Sequence, residues 1–151
     1  MPDVSTTTQP RGFVIDRKDG RPQLPGSLHS NRRLSQWLGF DEPGVVQVYT
    51  GKVELGQGIL TALLLIVAEE LDVPLESVRI RSASTAYGPD EGVTSGSLSV
   101  QDSGGALRQA CAEVRAMALQ RAATLAGQSA DTIEVFAGRF RSAQGQDLGD
   151  Y

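Results

Sequence analysis

Apolar and polar positions alternate along this chain in several distinct rhythms. Leu34, Trp37, Leu38 and Phe40, and then Val45, Val46, Val48 and Tyr49, flank the stretch Asp41-Glu42-Pro43-Gly44. Two β-rich runs around a Pro-Gly turn predict a hairpin. From Ile59 to Leu71 the apolar residues fall on nearly every side (Leu60, Leu63, Leu64, Leu65, Ile66, Val67), so a helix here needs protein cover all round. Asp72-Val73-Pro74 stops it, because proline disfavours helix in the residue before it. Ser77 to Ser82 alternates Val78 and Ile80 with Arg79 and Arg81, the period of a half-buried strand. Ser103 to Leu125 carries one stripe of Leu107, Cys111, Val114, Ala118 and Leu125, which predicts a second helix with Ser103 as N-cap and Gly127 beyond its end. Ile133 to Phe136 and Arg139 to Arg141, about Ala137-Gly138, predict a last short hairpin. The order β-β-α-β-loop-α-β-β implies an α+β fold with both helices packed on a small sheet.

Residues 1–28 differ from this body. Pro2, Pro10, Pro22 and Pro25 with several threonines and little periodicity predict an extended arm, leaving 29–151 as the folded domain. The arm holds no apolar core of a secretory signal, and the longest apolar stretch, Ile59 to Ala68, is far below the roughly 18 residues of a membrane span. Those observations predict a cytoplasmic, non-membrane protein. A net charge of −4 with no basic cluster beyond Arg32-Arg33 argues against nucleic-acid binding by phosphate neutralisation. One cysteine, Cys111, and one histidine, His29, cannot form a disulfide, a zinc cage or a Ser-His-Asp style catalytic set. Cys111 reads as buried filler, Trp37 as a packing anchor, His29 as a surface residue, and Glu69, Glu70 and Asp72 as a solvated helix edge.

Two polar segments remain, each opening a helix. Glu54-Leu55-Gly56-Gln57-Gly58 precedes the first; a loop of about 20 residues, Ala83 to Asp102, precedes the second and contains Gly92-Val93-Thr94-Ser95-Gly96-Ser97-Leu98-Ser99. Small residues there bring bare backbone N–H groups to the positive end of a helix dipole, a setting for phosphate or another anion. The Gln57 amide, between two glycines, is expected to stand free for a ligand. Neither segment matches the Gly-Lys-Ser/Thr or Gly-x-Gly-x-x-Gly nucleotide signatures. A Gly-x-Gly before a helix is also an ordinary turn, so on spacing alone a plain turn and a general anion site both stand.

The run Gly51-Lys52-Val53-Glu54-Leu55-Gly56-Gln57-Gly58-Ile59-Leu60-Thr61-Ala62 resembles the cofactor motif of molybdenum hydroxylase large subunits, the xanthine dehydrogenase and aldehyde oxidase family. Pro89 to Ser99, followed by Ser103-Gly104-Gly105-Ala106-Leu107-Arg108-Gln109-Ala110, is similar to the branch holding isoquinoline 1-oxidoreductase and nicotinate dehydrogenase subunits. Leu24-Pro25-Gly26-Ser27-Leu28 and Leu34 to Phe40 extend the likeness, which covers roughly residues 24 to 151.

The resemblance implies an oxidoreductase that hydroxylates an aldehyde or N-heteroaromatic carbon with oxygen from water. It implies molybdenum on a molybdopterin, in bacteria usually the cytosine dinucleotide, whose dithiolene supplies the sulfur ligands so that the chain needs no metal ligand of its own. Leu55, Gly56 and Gln57 correspond to family cofactor contacts, as do Gly96, Ser97, Leu98 and Ser99; Ser95 and Gly96 correspond to the edge of the substrate pocket. The family's catalytic glutamate has no counterpart here, and Glu91 matches a loop position instead, so no catalytic residue is expected in this chain. Many relatives have glutamine where Leu65 stands. The implied partners are the remaining large-subunit segments and a small subunit carrying 2Fe–2S clusters, this chain being one piece of a split subunit or an N-terminal fragment. The alternative is a non-catalytic module that oligomerises through its all-apolar helix or binds an anion without any activity of its own.

Overall fold

In a computed structural model, which describes residues 23–151, the Pro43-Gly44 turn closes β1 (Leu38–Glu42) onto antiparallel β2 (Val45–Thr50). β3 (Val78–Ser82) then lies parallel to β2, with Val46 opposite Val78 and Thr50 opposite Ser82. Parallel neighbours need a crossover, and α1 (Ile59–Leu71) supplies it. This topology makes β2 and β3 finish at the same edge, where the Ala83 N–H donates to Thr50 O at 2.8 Å. Both polar segments therefore leave the sheet side by side.

α1 buries Ile59, Leu63, Val67 and Leu71, a four-residue spacing that presents one stripe to the sheet and to the second helix. The all-round cover expected for it is incomplete, since Leu65 is 53% exposed. α2 (Gly105–Ala126) is the long helix, and one wide π turn (Val100–Gly104) runs into its start. Winding thus begins ahead of Ser103, which is fully buried inside the turn and is not the N-cap. Gly104 lets the helices touch: a Cβ there would come within 3.0 Å of Ile66 Cδ1. The stripe on α2 holds at Leu107 and Cys111, but Leu125 is exposed and Ala122 and Ala123 take over the inward positions. Gly127 ends the helix in the left-handed region, as expected of a C-terminal glycine.

Trp37 is the anchor the sequence implies, with no exposed surface and its Nε1–H donating to Asn31 O at 2.8 Å. The strand expected from Leu34 is shorter, because Leu34–Gln36 forms a 3-10 turn before β1. Leu28 is buried in the core and Leu24 packs against it, so the folded body starts ahead of His29; the rest of the arm, 1–22, lies outside the described residues. His29 is half-buried, with Nδ1 accepting from Leu24 N–H at 3.4 Å, and is not a bare surface residue. Glu70 likewise is no solvated edge: its carboxylate meets Arg108 Nε at 2.6 Å and its carbonyl accepts from Arg115, tying α1 to α2.

The C-terminal hairpin, β4 (Glu134–Phe136) and β5 (Arg139–Arg141), turns at Ala137-Gly138, both at positive φ. A third strand, β6 (Asp147–Asp150), pairs antiparallel with β5, so the described residues form two three-stranded sheets and not one. Tyr151 joins the units: its ring stacks on Phe40 and meets Phe140 edge-on, and its hydroxyl donates to Leu71 O at 2.9 Å. Burial pushes that phenol up to about 12. The α+β class holds: β1–β3 and α1 share the main core with the first half of α2, while β4–β6 pack with the end of α2 in a second cluster that Tyr151 joins to it.

Candidate functional site

At the common edge of β2 and β3, four successive residues leaving β2 grip the long loop that follows β3. Thr50 Oγ1 and the Gly51 N–H each donate to Glu91 Oε2 at 2.7 Å. Lys52, only 3% exposed, donates through Nζ to Glu91 O at 3.0 Å and Val93 O at 3.5 Å. The Val53 N–H donates to Thr94 Oγ1 at 3.0 Å. From the other side, Ser103 Oγ at the π turn donates to the same Glu91 oxygen at 3.1 Å. Asn31 closes the outer edge, its Nδ2 donating to Asp90 O at 2.8 Å and its Oδ1 accepting from Asp90 N–H at 3.0 Å. The two glycine-rich segments predicted to act together are therefore adjacent.

Their hydrogen-bonding states differ. In residues 54–58, Glu54 folds over the start of α1. Its Oε1 accepts from the N–H groups of Gly56 at 2.9 Å and Gly58 at 2.8 Å, and its Oε2 accepts from Leu60 at 3.2 Å. These bonds, with that of Gly58 the strongest, hold the Glu54 carboxyl below its ordinary value. Gln57 is turned onto its own loop as well: Oε1 accepts from Leu55 N–H at 2.5 Å and Nε2 donates to Val53 O at 3.0 Å. The expectation of a free Gln57 amide is thereby corrected. A carboxylate over a helix start competes with any incoming anion, and sequence reasoning passed over Glu54 although it sits two residues before the first glycine.

The second segment is open. Among the described residues, neither the main-chain N–H groups of Ser95 through Gln101 nor the hydroxyls of Ser95, Ser97 and Ser99 have a hydrogen-bond partner. Gly96 and Ser97 both take positive φ, which turns the chain sharply into the helix start at Ser99. An added Cβ at Gly56, Gly58 or Gly92 would meet nothing within 4 Å, so bare backbone faces open space on both segments. Leu55, Val93, Leu98 and Val100 stand exposed around them, the first at 71%. An apolar surround with a few convergent donors is the usual composition of a cofactor pocket.

Of the other sequence candidates, Cys111 is buried and its thiol is pushed up to about 12 by desolvation and the nearby Glu70 charge, which makes it inert filler. Among the described residues no group of three or more His, Cys, Asp or Glu side chains is placed to hold a metal ion, and no helix is long and apolar enough to cross a membrane. Thr50, Lys52, Asn31 and Ser103 were not singled out in advance as site residues. For Thr50 and Lys52 the signal was the Thr-Gly-Lys run at a strand exit, visible only once the facing loop is placed; Asn31 and Ser103 carry no such local signal.

Two loops and two helix starts thus meet at this edge around bare backbone. The chain belongs to the molybdopterin cofactor-binding domain family, whose model matches residues 20–150. It is 34% identical over 117 residues to a nicotinate dehydrogenase subunit of Pseudomonas putida, a match that covers 78% of this chain and 10% of that one. It is 37% identical over 68 residues to aldehyde oxidase 1 of Macaca fascicularis, covering 45% of this chain and 5% of that one. The fold overlays on quinoline 2-oxidoreductase from Pseudomonas putida 86 with a TM-score of 0.61 and 28% identity, covering 74% of this chain and 14% of that one. The motif resemblance to molybdenum hydroxylases is borne out, and the chain spans about a tenth of the length of such relatives.

Proposed function

We propose that this chain forms one wall of the molybdopterin site of a hydroxylase acting on an aldehyde or N-heteroaromatic carbon. The observation that carries the reading is the run of unpartnered donors, Ser95 through Gln101, lying beside the open glycines of residues 54–58. Leu55, Gly56 and Gln57 line one side of the cofactor; Gly96, Ser97, Leu98 and Ser99 line the other. Ser95 and Gly96 border the substrate.

These groups fit a pterin with an anionic tail. Serine hydroxyls and N–H groups at a helix start suit phosphate oxygens, and glycine permits close approach of a flat ring. When bound, the group supplies the redox chemistry, taking two electrons from the substrate carbon as that carbon gains an oxygen from water. This chain's share is to bind and orient. Its open loop presents donors, its exposed leucines shield the ring from water, and Glu54 keeps the first loop folded without a ligand. The cytosine dinucleotide form is carried into this reading by the motif resemblance alone. The catalytic base belongs to the remaining large-subunit segments, and a 2Fe–2S subunit accepts the electrons. Exposed Leu65 faces the side on which such segments would pack. The working place of this assembly is the cytoplasm.

Co-expression with the remaining large-subunit segments and the iron–sulfur subunit, followed by metal and nucleotide analysis, tests the reading. One molybdenum and one cytidine nucleotide per folded assembly are expected. A folded assembly containing neither overturns it.

A further inference from the structure

We propose that Glu91 is a positioning residue whose carboxylate, together with buried Lys52, locks the two cofactor loops at their working separation. The lock rests on the proposed cofactor site and deepens it. Three donors from two distant places in the chain converge on one oxygen, Glu91 Oε2: Thr50 Oγ1 and Gly51 N–H at 2.7 Å and Ser103 Oγ at 3.1 Å. Thr50 Oγ1 and Ser103 Oγ lie 2.9 Å apart, so with both hydroxyl protons turned to Glu91 the end of β2, the long loop and the π turn meet around that one oxygen. Lys52 Nζ fastens the loop's main chain from beneath.

The fit is tight at the point of contact. A Cβ on Gly51 would come within 2.9 Å of Pro89 O and 3.0 Å of Glu91 Cβ, so the two segments approach to backbone distance there. One oxygen of a carboxylate accepting three donors is a strongly directional anchor, since hydrogen bonds to a charged acceptor are about twice as strong as neutral ones. Glu91 Oε1, by contrast, is buried and has no partner, so the carboxylate is held by one edge alone. Only three residues separate this anchor from Ser95, the first residue of the open donor run. Loosening the anchor therefore releases the loop that meets the cofactor, while the helices keep their separate packing through the Leu63 and Leu107 core.

The distinguishing experiment uses the cofactor-loaded assembly with Glu91→Ala, Glu91→Gln and Thr94→Ala. The last removes only the acceptor of Val53 N–H and leaves the core intact. Two quantities are read: the rate at which molybdenum and nucleotide leave the folded assembly, and amide exchange at Gly51, Lys52 and Val53, whose N–H groups are bonded within the clamp, in the 151-residue chain. Glu91→Ala should speed release at least tenfold and accelerate exchange at Gly51, Lys52 and Val53, with α1 and α2 unchanged. Thr94→Ala should do so several-fold. Glu91→Gln, which keeps an acceptor for the three donors, should restore both toward wild type. Wild-type release rates and exchange in Glu91→Ala, or in Thr94→Ala should the alanine at 91 not fold, overturn the lock. So does a glutamine variant no better than alanine. A wild-type assembly that never loads molybdenum fails the functional reading instead, and the exchange measurement still decides the lock.

Discussion

Residues 54–58 and 95–101 use the same ingredients, glycines at positive φ before a helix, yet reach opposite states. The first segment satisfies itself, with Glu54 over the start of α1 and Gln57 folded onto Val53 and Leu55. The second leaves its N–H groups and serine hydroxyls without a protein partner. Exposed donors of that kind bond solvent and can exchange it for a ligand without first breaking the fold. In the proposed site the first segment is thus a preformed rest for the cofactor, and the second is the part that would gain most by binding it. A positive-φ glycine ahead of a helix does not by itself separate these roles; in the first segment the carboxylate two residues upstream of Gly56 does.

The contrast can be erased outright. Trp37→Ala, which empties the fully buried site of the largest core residue, should cost about 3–5 kcal/mol, read as a fall in the denaturant midpoint. Both segments then lose their scaffold together. Ser97→Ala sharpens the contrast instead. It should weaken cofactor retention in the assembly roughly tenfold, the scale of a lost hydrogen bond to a charged acceptor, with no change in thermal midpoint. Gln57→Ala should lower occupancy by a smaller factor and leave the fold intact, because the amide is exposed and bonds only its own loop.

A pH titration separates the segments by sign. The Glu54 carboxyl is lowered from its ordinary value by the N–H groups of Gly58, Leu60 and Gly56, so its cap is fully present above pH 4.5 and is lost as pH falls through the lowered value. Amide exchange at Gly56, Gly58 and Leu60 should quicken over that acid range relative to Ser97 to Gln101, which have no carboxylate partner to lose. The smallest effect is a null one. Cys111, with its thiol pushed up to about 12, should resist alkylation at pH 8 in the folded chain and react once the shared core opens.

Much of the fold was legible from residue order. Asp41 to Gly44, the alternation of Val78 and Ile80, and Gly127 each marked a boundary by a local steric rule, and α1 appeared at Ile59–Leu71 as its apolar density required. β6 was not legible, because Asp147-Leu148-Gly149-Asp150 has one apolar residue and becomes a strand only by pairing with β5. Ser103 was misplaced for a related reason: a serine before a helix reads as a cap unless the facing Thr50 and Glu91 are known. The candidate site was legible as two motifs, and the motifs carried the family. The closure of one by Glu54 and the clamp between them were not, since a capping carboxylate is not set by glycine spacing and the clamp joins side chains about 40 residues apart in sequence.

Hydrogen exchange on the loaded assembly before and after cofactor removal bears most directly on the central claim. The amides of Ser95 to Gln101 should lose their protection when the cofactor leaves, while those of Gly56, Gly58 and Leu60 stay protected by Glu54. Unchanged exchange across 95–101, or the larger loss falling on 56–60, would contradict the account.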